Sequence, residues 1–333
     1  MSQLTICSAY HNSKTKKFLE LNWKLTKELN SLPDWVWLVV DNTPLDFDDK
    51  IDPSKFKVVR GVTRSELIAQ LDPGLKHKNL VGAFHHSSAI HRALSYVESR
   101  YVLILDDDFF IVQPDWIQDV LNYMKEQNLA LFGAPYYPLG KKYRYFPTLC
   151  CLFIDTSQVD LKKLDFNPVY VRDPRFLPYL SSFFKRVRGS AKRRFTLEKD
   201  GGFLLYRNLK RTTLRYKCVL PVYKEKLPSN RMMRWMKLLV KAILPDQWQF
   251  APKRRNSYVT RNFSEYGYFD PASYCGEEFI WEGKPFGFHM RGFRFSKIRM
   301  NEDEEFAMLG GWISDLCEKV RKNVHLGKGA GTP

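Results

Sequence analysis

Residues 101–110 read YVLILDDDFF, so an apolar run meets three carboxylates with no residue between them. The run is short and unbroken by polar residues, which predicts a strand buried on both faces inside a parallel sheet. The acids then fall at the carboxyl end of that strand, where open α/β sheets bind their ligands. Adjacent carboxylates repel one another, and Mg²⁺ and Mn²⁺ favour oxygen ligands. The triplet therefore predicts a divalent cation site; the alternative is a solvated acidic turn.

The segments around this stretch alternate between strand and helix patterns. Short apolar runs predict strands, and apolar residues at helical spacing predict helices between them. We expect strands at residues 4–8, 35–40, 57–60, 101–105, 129–135 and 149–154, and helices at residues 14–30, 82–94, from 114 onward and 302–320. This alternation indicates the α/β class.

The charge balance favours anionic partners. Lys and Arg number 53 against 36 Asp and Glu in 333 residues, which gives a net charge of +17. Such an excess suits nucleotides, phosphates, anionic lipid or nucleic acid. Hydrophobic residues make up 44% of the chain, which excludes intrinsic disorder.

The cysteines and the chain start bear on the compartment. The six cysteines are scattered and show no CxxC spacing, which favours free thiols and a reducing compartment: Cys7, Cys150, Cys151, Cys218, Cys275 and Cys317. The first residues lack the pattern of a secretory signal, and no apolar stretch reaches transmembrane length. We therefore expect a cytoplasmic protein.

Two basic segments lie in the second half of the chain. Residues 183–195 are rich in Lys and Arg, and residues 230–244 form an amphipathic pattern with a broad apolar face and a basic face. Such a helix can lie in a membrane interface, which would make the protein peripheral on the inner face of a membrane; the alternative is a helix packed on the protein body. We expect residues 1–325 to form one unit and the Gly-rich residues 326–333 to be a disordered tail.

At this point the chain resembles family 2 glycosyltransferases of the GT-A fold. The acid triplet is similar to that family's DxD motif, read as Asp106-x-Asp108. Residues 86–94, HSSAIHRAL, are similar to the helix before that motif, where the family pattern is roughly His-Gly-x-Ala-Leu-Asn-x-Ala-Leu. Ser87 and His91 differ from the family's Gly and Asn. Residues 200–202, DGG, and residues 288–292, FHMRG, extend the resemblance.

The resemblance implies a fold and an activity. The fold is a mixed, mostly parallel central sheet flanked by helices, with a variable C-terminal helical region. Residues 1–155 would be the nucleotide-sugar half and residues 156–325 the acceptor half. The implied reaction moves a sugar from a nucleoside-diphosphate sugar to an acceptor hydroxyl with inversion. A glycan or glycolipid acceptor, in surface polysaccharide or glycolipid synthesis, would suit the basic segments.

The resemblance also implies site residues. Asp106, Asp108 and His289 would hold a divalent metal, Mn²⁺ or Mg²⁺, and an imidazole ligand suits Mn²⁺ better. The expected contacts to the nucleotide sugar are Ser8, Tyr10, Asp41, His86, Asp106, Asp107 and Arg291.

An inverting enzyme needs a general base to accept the acceptor proton. Asp200 has a separation from the triplet that resembles the family's, and the glycines after it leave room for substrate. Glu277 and Glu278 also follow a glycine and resemble the family's base motif. Asp200 is the first candidate, and Glu277 and Glu278 are the alternatives.

Two other functions fit part of the pattern. A metal-dependent nucleotidyltransferase uses the same metal chemistry, but no Gly-rich phosphate loop follows the first strand. A nucleic-acid-binding protein would explain the charge, but the sequence has neither zinc-finger spacing nor an RNA-binding signature. A nucleic-acid partner is therefore not expected.

Overall fold

The computed structural model describes residues 2–71, 78–138, 145–172, 196–199, 202–209, 212–224, 229–243, 257–274, 276–291 and 301–327. Its strands are β1 (Leu4–Tyr10), β2 (Trp35–Asp41), β3 (Lys57–Arg60), β4 (Tyr101–Leu105), β5 (Phe109–Ile111), β6 (Leu131–Gly133), β7 (Cys151–Asp155), β8 (Val169–Arg172), β9 (Thr196–Lys199), β10 (Tyr216–Cys218), β11 (Leu220–Pro221), β12 (Glu277–Trp281) and β13 (Lys284–His289). Its α-helices are α1 (Ser13–Leu29), α2 (Arg64–Gln70), α3 (Lys78–Leu94), α4 (Trp116–Glu126), α5 (Gly202–Leu209), α6 (Arg231–Ile243) and α7 (Glu302–Gly327).

The largest sheet has seven strands in the order β10-β6-β7-β4-β1-β2-β3. Strands β3, β2, β1 and β4 are parallel neighbours, β7 runs antiparallel to β4 and β6, and β10 is parallel to β6. The sheet is therefore mixed and mostly parallel, which confirms the predicted fold class. Each strand predicted in the first half of the chain is present, with ends that differ by a few residues.

Strand β4 lies at the centre of this sheet and is buried on both faces, as predicted. Leu103 and Leu105 belong to the core cluster that includes Trp116 of α4. Val102 and Ile104 point to the other face and pack in the cluster that includes Ala89 of α3. This alternation is the two-residue period of a strand, with a hydrophobic layer on each side.

A second, antiparallel sheet lies next to the first in the order β11-β12-β13-β5. Only three residues, the acid triplet, separate the end of β4 from the start of β5, so the triplet joins the two sheets. Strand β13 pairs with β5, and His289 is the register partner of Phe109. The β12–β13 hairpin was not predicted from the sequence, although Glu282 and Gly283 form its tight turn with positive φ.

The C-terminal region is helical, with two differences from the sequence-based expectations. Helix α7 continues to Gly327, so residues 326 and 327 are helical where a disordered tail was predicted. Helix α6 forms as predicted, and the apolar side chains that the structure describes on it are exposed, so over these residues the alternative in which that face packs on the body is wrong. Basic residues 183–195, Cys275 and residues 328–333 lie outside the described residues. Over the described residues, every helix falls short of the length and apolarity that crossing a bilayer requires.

The cysteines that the structure describes are buried and free. They are Cys7, Cys150, Cys151, Cys218 and Cys317. Burial raises the pKa of the Cys150 thiol to about 11, so this residue is a poor nucleophile despite its position near the acid triplet.

Candidate active site

The acid triplet forms a short connection whose backbone is fixed on several sides. The backbone N–H of Asp106 donates to the carbonyl of Cys150 at 3.0 Å, and that of Phe109 donates to the carbonyl of Asp106 at 3.1 Å. The buried side chain of Asn22 in α1 donates to the carbonyls of Asp107, at 2.8 Å, and Phe109, at 3.0 Å. The carboxylates are therefore presented by a rigid turn at the end of the central strand.

His289 completes a cluster with two of these acids. Its Nε2 lies 2.9 Å from Oδ1 of Asp108 and 3.8 Å from Oδ2 of Asp106. One ligand atom from each of the three side chains lies within 4.8 Å of the other two. Pairing of β13 with β5 brings the histidine here, and the backbone N–H of Met290 donates to the carbonyl of Asp108 at 3.0 Å. The three residues predicted as metal ligands are thus brought together.

The chemistry of this cluster fits a divalent cation. Two carboxylates and an imidazole are a donor set that suits Mn²⁺ well and Mg²⁺ less well. Asp106 Oδ1 is buried and accepts no hydrogen bond from the described residues. Burial raises the pKa of both Asp106 and Asp107. Repulsion by the negative charge of Asp108 raises the pKa of both groups further. Burial alone would lower the pKa of His289, but the neighbouring carboxylate of Asp108 outweighs it and raises that pKa. A bound cation would relieve the repulsion between the acids.

Glu277 lies directly behind His289. The two residues are register partners across the β12–β13 hairpin, and Glu277 Oε2 lies 3.3 Å from His289 Nδ1. Its other oxygen accepts a 2.6 Å hydrogen bond from Nε of Arg291, whose backbone is in the left-handed region. The Glu277 carboxylate outweighs the effect of burial and raises the pKa of Arg291. Glu277 therefore positions a histidine and an arginine, a role that sequence analysis missed.

One segment of the chain matches a known protein family. Residues 45–188 match the family described as "Glycosyl transferase family 2". The match covers 144 of the 333 residues of the chain. The matched range contains His86 and the acid triplet, and it ends before the hairpin that carries His289. The resemblance stated from the sequence is confirmed over this range.

Solved structures align with this chain at low identity. TarS 1-349 of S. aureus is 14% identical over 47% of this chain and 48% of that chain, with a TM-score of 0.31. The mannosyltransferase PcManGT from Pyrobaculum calidifontis, in complex with GDP-Man and Mn²⁺, is 11% identical over 48% and 46%, with a TM-score of 0.33. The galactosyltransferase LgtC, with donor and acceptor sugar analogs, is 11% identical over 65% and 73%, with a TM-score of 0.35. The alignments span about half the length of the first two structures. A search of curated proteins found no match.

Ser8 and Tyr10 of β1, two of the residues predicted to contact a nucleotide, form hydrogen bonds within the protein. Ser8 donates to the carbonyl of Leu105 at 2.8 Å and accepts from the indole N–H of Trp37 at 3.1 Å. The buried Tyr10 donates its hydroxyl to the carbonyl of Asp49. Their roles toward a nucleotide stay predictions.

Asp41 and His86 lie closer to solvent. Asp41 caps its own turn, accepting from the backbone N–H of Thr43 at 2.9 Å, and it lies 3.5 Å from Arg60. His86 Nε2 lies 3.4 Å from Asp106 Oδ1, so this histidine borders the cluster of Asp106, Asp108 and His289, and its contact to a nucleotide sugar stays a prediction. Asp41 therefore forms an Asx turn. Its second carboxylate oxygen lies beside the guanidinium of Arg60.

Two further histidines lie at the carboxyl end of β1 and were not singled out in the sequence. The rings of His11 and His85 lie 4.9 Å apart, and Nε2 of His85 lies 2.6 Å from the carbonyl of Val62. Burial lowers the pKa of His11 to about 3, with the positive charges of His85 and His86 adding to the effect. His11 is therefore neutral at physiological pH. The HNS and HHS tripeptides at 11–13 and 85–87 gave no local signal that they would meet.

The base candidates differ in position. Asp200 lies outside the described residues. Glu277 accepts a hydrogen bond from Arg291 and faces His289. Glu278 points to the opposite side of β12, where its Oε2 accepts from the backbone N–H of Phe263 at 3.0 Å.

Glu278→Gln is expected to change how stability depends on pH. Burial raises the pKa of Glu278 from 4.5 to about 7. Because the folded state holds this proton more tightly than the unfolded state, the stabilising contribution is complete below about pH 4.5 and is lost as pH rises through 7. The Gln variant does not titrate, so its free energy of unfolding relative to wild type should rise by about 2–3 kcal/mol between pH 4.5 and pH 8. Urea unfolding at several pH values measures this difference, and a difference that stays constant with pH would contradict it.

Asn22→Leu is expected to loosen the acid triplet. Leucine preserves the volume of the buried side chain but leaves the carbonyls of Asp107 and Phe109 without their donor. The free energy of unfolding should fall by about 2 kcal/mol, and the metal concentration for half-maximal activity should rise. Urea unfolding and metal titration measure the two effects. Asn122→Leu in the exposed part of α4 is the matched control, and an Asn22→Leu enzyme no less stable than that control would refute the support role.

Proposed function

We propose that the protein transfers a glycosyl group from a nucleoside-diphosphate sugar to an acceptor hydroxyl, with inversion and with a divalent cation. The observation that carries this proposal is the convergence of Asp106, Asp108 and His289 at the end of the central strand in a family 2 domain. Charge develops on the diphosphate as its bond to the sugar breaks, and that charge is the main electrostatic demand of the reaction.

The residues of the site and its borders would meet that demand in three ways. Asp106, Asp108 and His289 would hold Mn²⁺ or Mg²⁺, and the ion would neutralise negative charge on the leaving diphosphate. Arg291 lies beside the cluster with 28% of its side chain exposed, so its guanidinium can bind a phosphate oxygen while Glu277 holds its Nε. His86 borders Asp106 on the side of the nucleotide-sugar half and would contact the diphosphate or the sugar.

The acceptor proton requires a base on the other side of the sugar. Asp200 remains our candidate, because Glu277 and Glu278 are buried and already accept hydrogen bonds within the small sheet. Asp200→Asn should lower the transfer rate by about a hundredfold to ten-thousandfold, the usual contribution of general base catalysis. Nucleotide binding measured by calorimetry should stay unchanged. A variant that keeps the wild-type transfer rate would remove Asp200 from the mechanism.

The net charge and the cysteines support a proposal for the acceptor and the compartment. The charge of +17 and the basic segments suit a glycan or glycolipid acceptor at an anionic surface, in surface polysaccharide or glycolipid synthesis. Five buried free cysteines support a reducing compartment. We place the enzyme in the cytoplasm on these grounds.

A thermal-shift panel tests the proposed donor class. UDP, GDP, dTDP and CMP are each added with Mn²⁺, with Mg²⁺ and with EDTA. A ligand of the folded state at a hundredfold excess over its dissociation constant adds about 2.7 kcal/mol to stability, which is a measurable shift. We expect one nucleoside diphosphate to stabilise the protein with a metal and not with EDTA. A shift produced by duplex DNA alone would favour nucleic-acid binding, and pyrophosphate release from a nucleoside triphosphate and a sugar phosphate would favour nucleotidyl transfer.

A further inference from the structure

Helix α6 exposes an apolar surface that the body of the protein leaves uncovered. All eight of its residues with described side chains are exposed, residues 231–236, 238 and 239. Met232 is 70% exposed, Trp235 63% and Met233 54%. In the rest of the described chain the large exposed hydrophobic residues are scattered singly, as at Leu45. A continuous patch of this kind marks an interaction surface.

The charges of the same helix restrict what can cover that surface. Residues 231–243 read RMMRWMKLLVKAI, with four basic residues and no acidic one. Positions 234, 237 and 241 share one side of the helix, because residues three and four apart lie on the same face. The apolar residues occupy the remaining broad arc. The helix therefore offers a hydrophobic face flanked by a row of positive charges.

An anionic lipid surface matches both properties at once. A helix that lies in the plane of a bilayer interface buries its apolar face near the acyl chains and keeps Lys and Arg at the headgroups. A tryptophan at such an interface places an apolar ring in the lipid and its N–H at the headgroup level. The 13 residues of α6 span about 20 Å at 1.5 Å per residue, enough to lie on a bilayer and too short to cross it.

The chain that leads into α6 is fixed to the sheet that carries His289. Strand β11 pairs with β12, and β12 pairs with β13. The backbone N–H of Val222 donates to the carbonyl of Glu278 at 2.9 Å, and that of Tyr223 donates to the carbonyl of Val259 at 2.7 Å. Residues 225–228 then connect to the start of the helix. A surface bound by α6 is therefore tethered to the catalytic sheet by a short stretch of chain.

We propose that α6 is a membrane-docking helix that binds the surface of an anionic bilayer through Trp235, its methionines and its leucines. Arg231 and Arg234, whose side chains are exposed, supply electrostatic attraction to anionic headgroups. The proposal concerns lipid binding alone, so it can fail without affecting the proposed sugar transfer.

Vesicle flotation with the full chain tests this proposal. The probes are phosphatidylcholine vesicles and vesicles that contain about 30% phosphatidylglycerol. We expect the wild-type protein to float with the anionic vesicles and to remain unbound with the zwitterionic ones. The apolar variant Trp235→Glu/Met236→Glu should lose at least about tenfold in partition coefficient, since it places charge on the face that enters the lipid. The control Leu45→Glu changes a hydrophobic residue outside the helix that is 80% exposed, more than either substituted helix residue, and it should bind as wild type.

A charge variant separates α6 from the overall charge of the protein. Arg234→Glu and Lys163→Glu lower the net charge by the same amount, and Lys163 is 83% exposed outside the helix. One basic residue near an anionic surface contributes about fivefold in binding, so reversing Arg234 should weaken binding by about thirtyfold and reversing Lys163 by much less. Equal effects of both variants would overturn the proposal, as would wild-type protein that fails to bind anionic vesicles.

The same variants test whether another molecule covers α6. All the substituted residues are exposed, so the variants should unfold at the wild-type temperature, which a thermal melt verifies. If wild type is a dimer by light scattering and Trp235→Glu/Met236→Glu is a monomer, a second copy covers the helix and the membrane proposal is wrong.

Discussion

Asp108→Asn is expected to lower glycosyl transfer by about a thousandfold, because a metal that stabilises a developing charge contributes several kcal/mol to the transition state. The substitution preserves the shape of the side chain, and the amide oxygen is a much weaker ligand than a carboxylate. Asp108 lies 2.9 Å from His289, so the change also removes the negative charge that raises the pKa of the imidazole. Initial rates at saturating donor and metal measure the loss.

The matched control for Asp108→Asn is Asp303→Asn. Asp303 lies in the first turn of α7, its side chain is 95% exposed, and the substitution removes the same charge far along the chain. This variant should keep the wild-type rate. An Asp108→Asn enzyme within about tenfold of wild type would be inconsistent with a metal ligand at this position.

Glu277→Gln is expected to raise the metal concentration for half-maximal activity by about tenfold to a hundredfold, the usual effect of losing the residue that orients a metal ligand. The carboxylate lies 3.3 Å from His289 Nδ1 and accepts a 2.6 Å hydrogen bond from Arg291. Glutamine has nearly the same volume as glutamate but lacks the negative charge that faces His289 and Arg291. The free energy of unfolding should fall by about 3 kcal/mol, since one partner of a buried ion pair is removed.

The control for Glu277→Gln is the adjacent Glu278→Gln. Glu278 is on the same strand and equally buried, but it points to the opposite face, toward Phe263. Its substitution should leave the metal requirement unchanged, which separates orientation of His289 from general damage to β12. If both variants show the same metal dependence, Glu277 has only a structural role.

The part of the site that lies on the central strand could be predicted because its signals are local. The run at residues 101–105 is apolar without interruption, so both faces of β4 had to be buried, and the acids had to follow at its carboxyl end. The amphipathic pattern of α3 and the strands around it set the α/β class for the same reason. Each of these features depends on residues within one element.

The rest of the site depends on pairing between distant segments. His289 reaches the acids because β13 pairs with β5, across 181 positions of sequence. The position of Glu277 depends on the register of the β12–β13 hairpin, and a shift of one residue would have placed Glu278 beside His289 instead. Sequence periodicity carries no information on such registers.

The surroundings of some residues could not be predicted from the hydrophobic pattern of the sequence alone. Ser8 was expected at a strand end, but β1 continues to Tyr10 and the hydroxyl of Ser8 bridges Leu105 and Trp37 inside the core. The reverse holds for α6, whose apolar face would be typical of a packed helix yet lies exposed. A hydrophobic pattern shows that a face is apolar and does not show what covers it.

Direct binding of Mn²⁺ measured by electron paramagnetic resonance tests the central claim, that Asp106, Asp108 and His289 form a metal site. The free-ion signal is followed as wild type, Asp108→Asn and Asp107→Asn are titrated, each with and without a nucleoside diphosphate. We expect wild type to remove about one ion per chain from the free signal and Asp108→Asn to remove at least about tenfold less at the same concentration. Asp107→Asn, which removes the same charge from a residue outside the cluster, should still bind the ion. Loss of binding in neither variant, or in both to the same extent, would contradict a site formed by these three side chains.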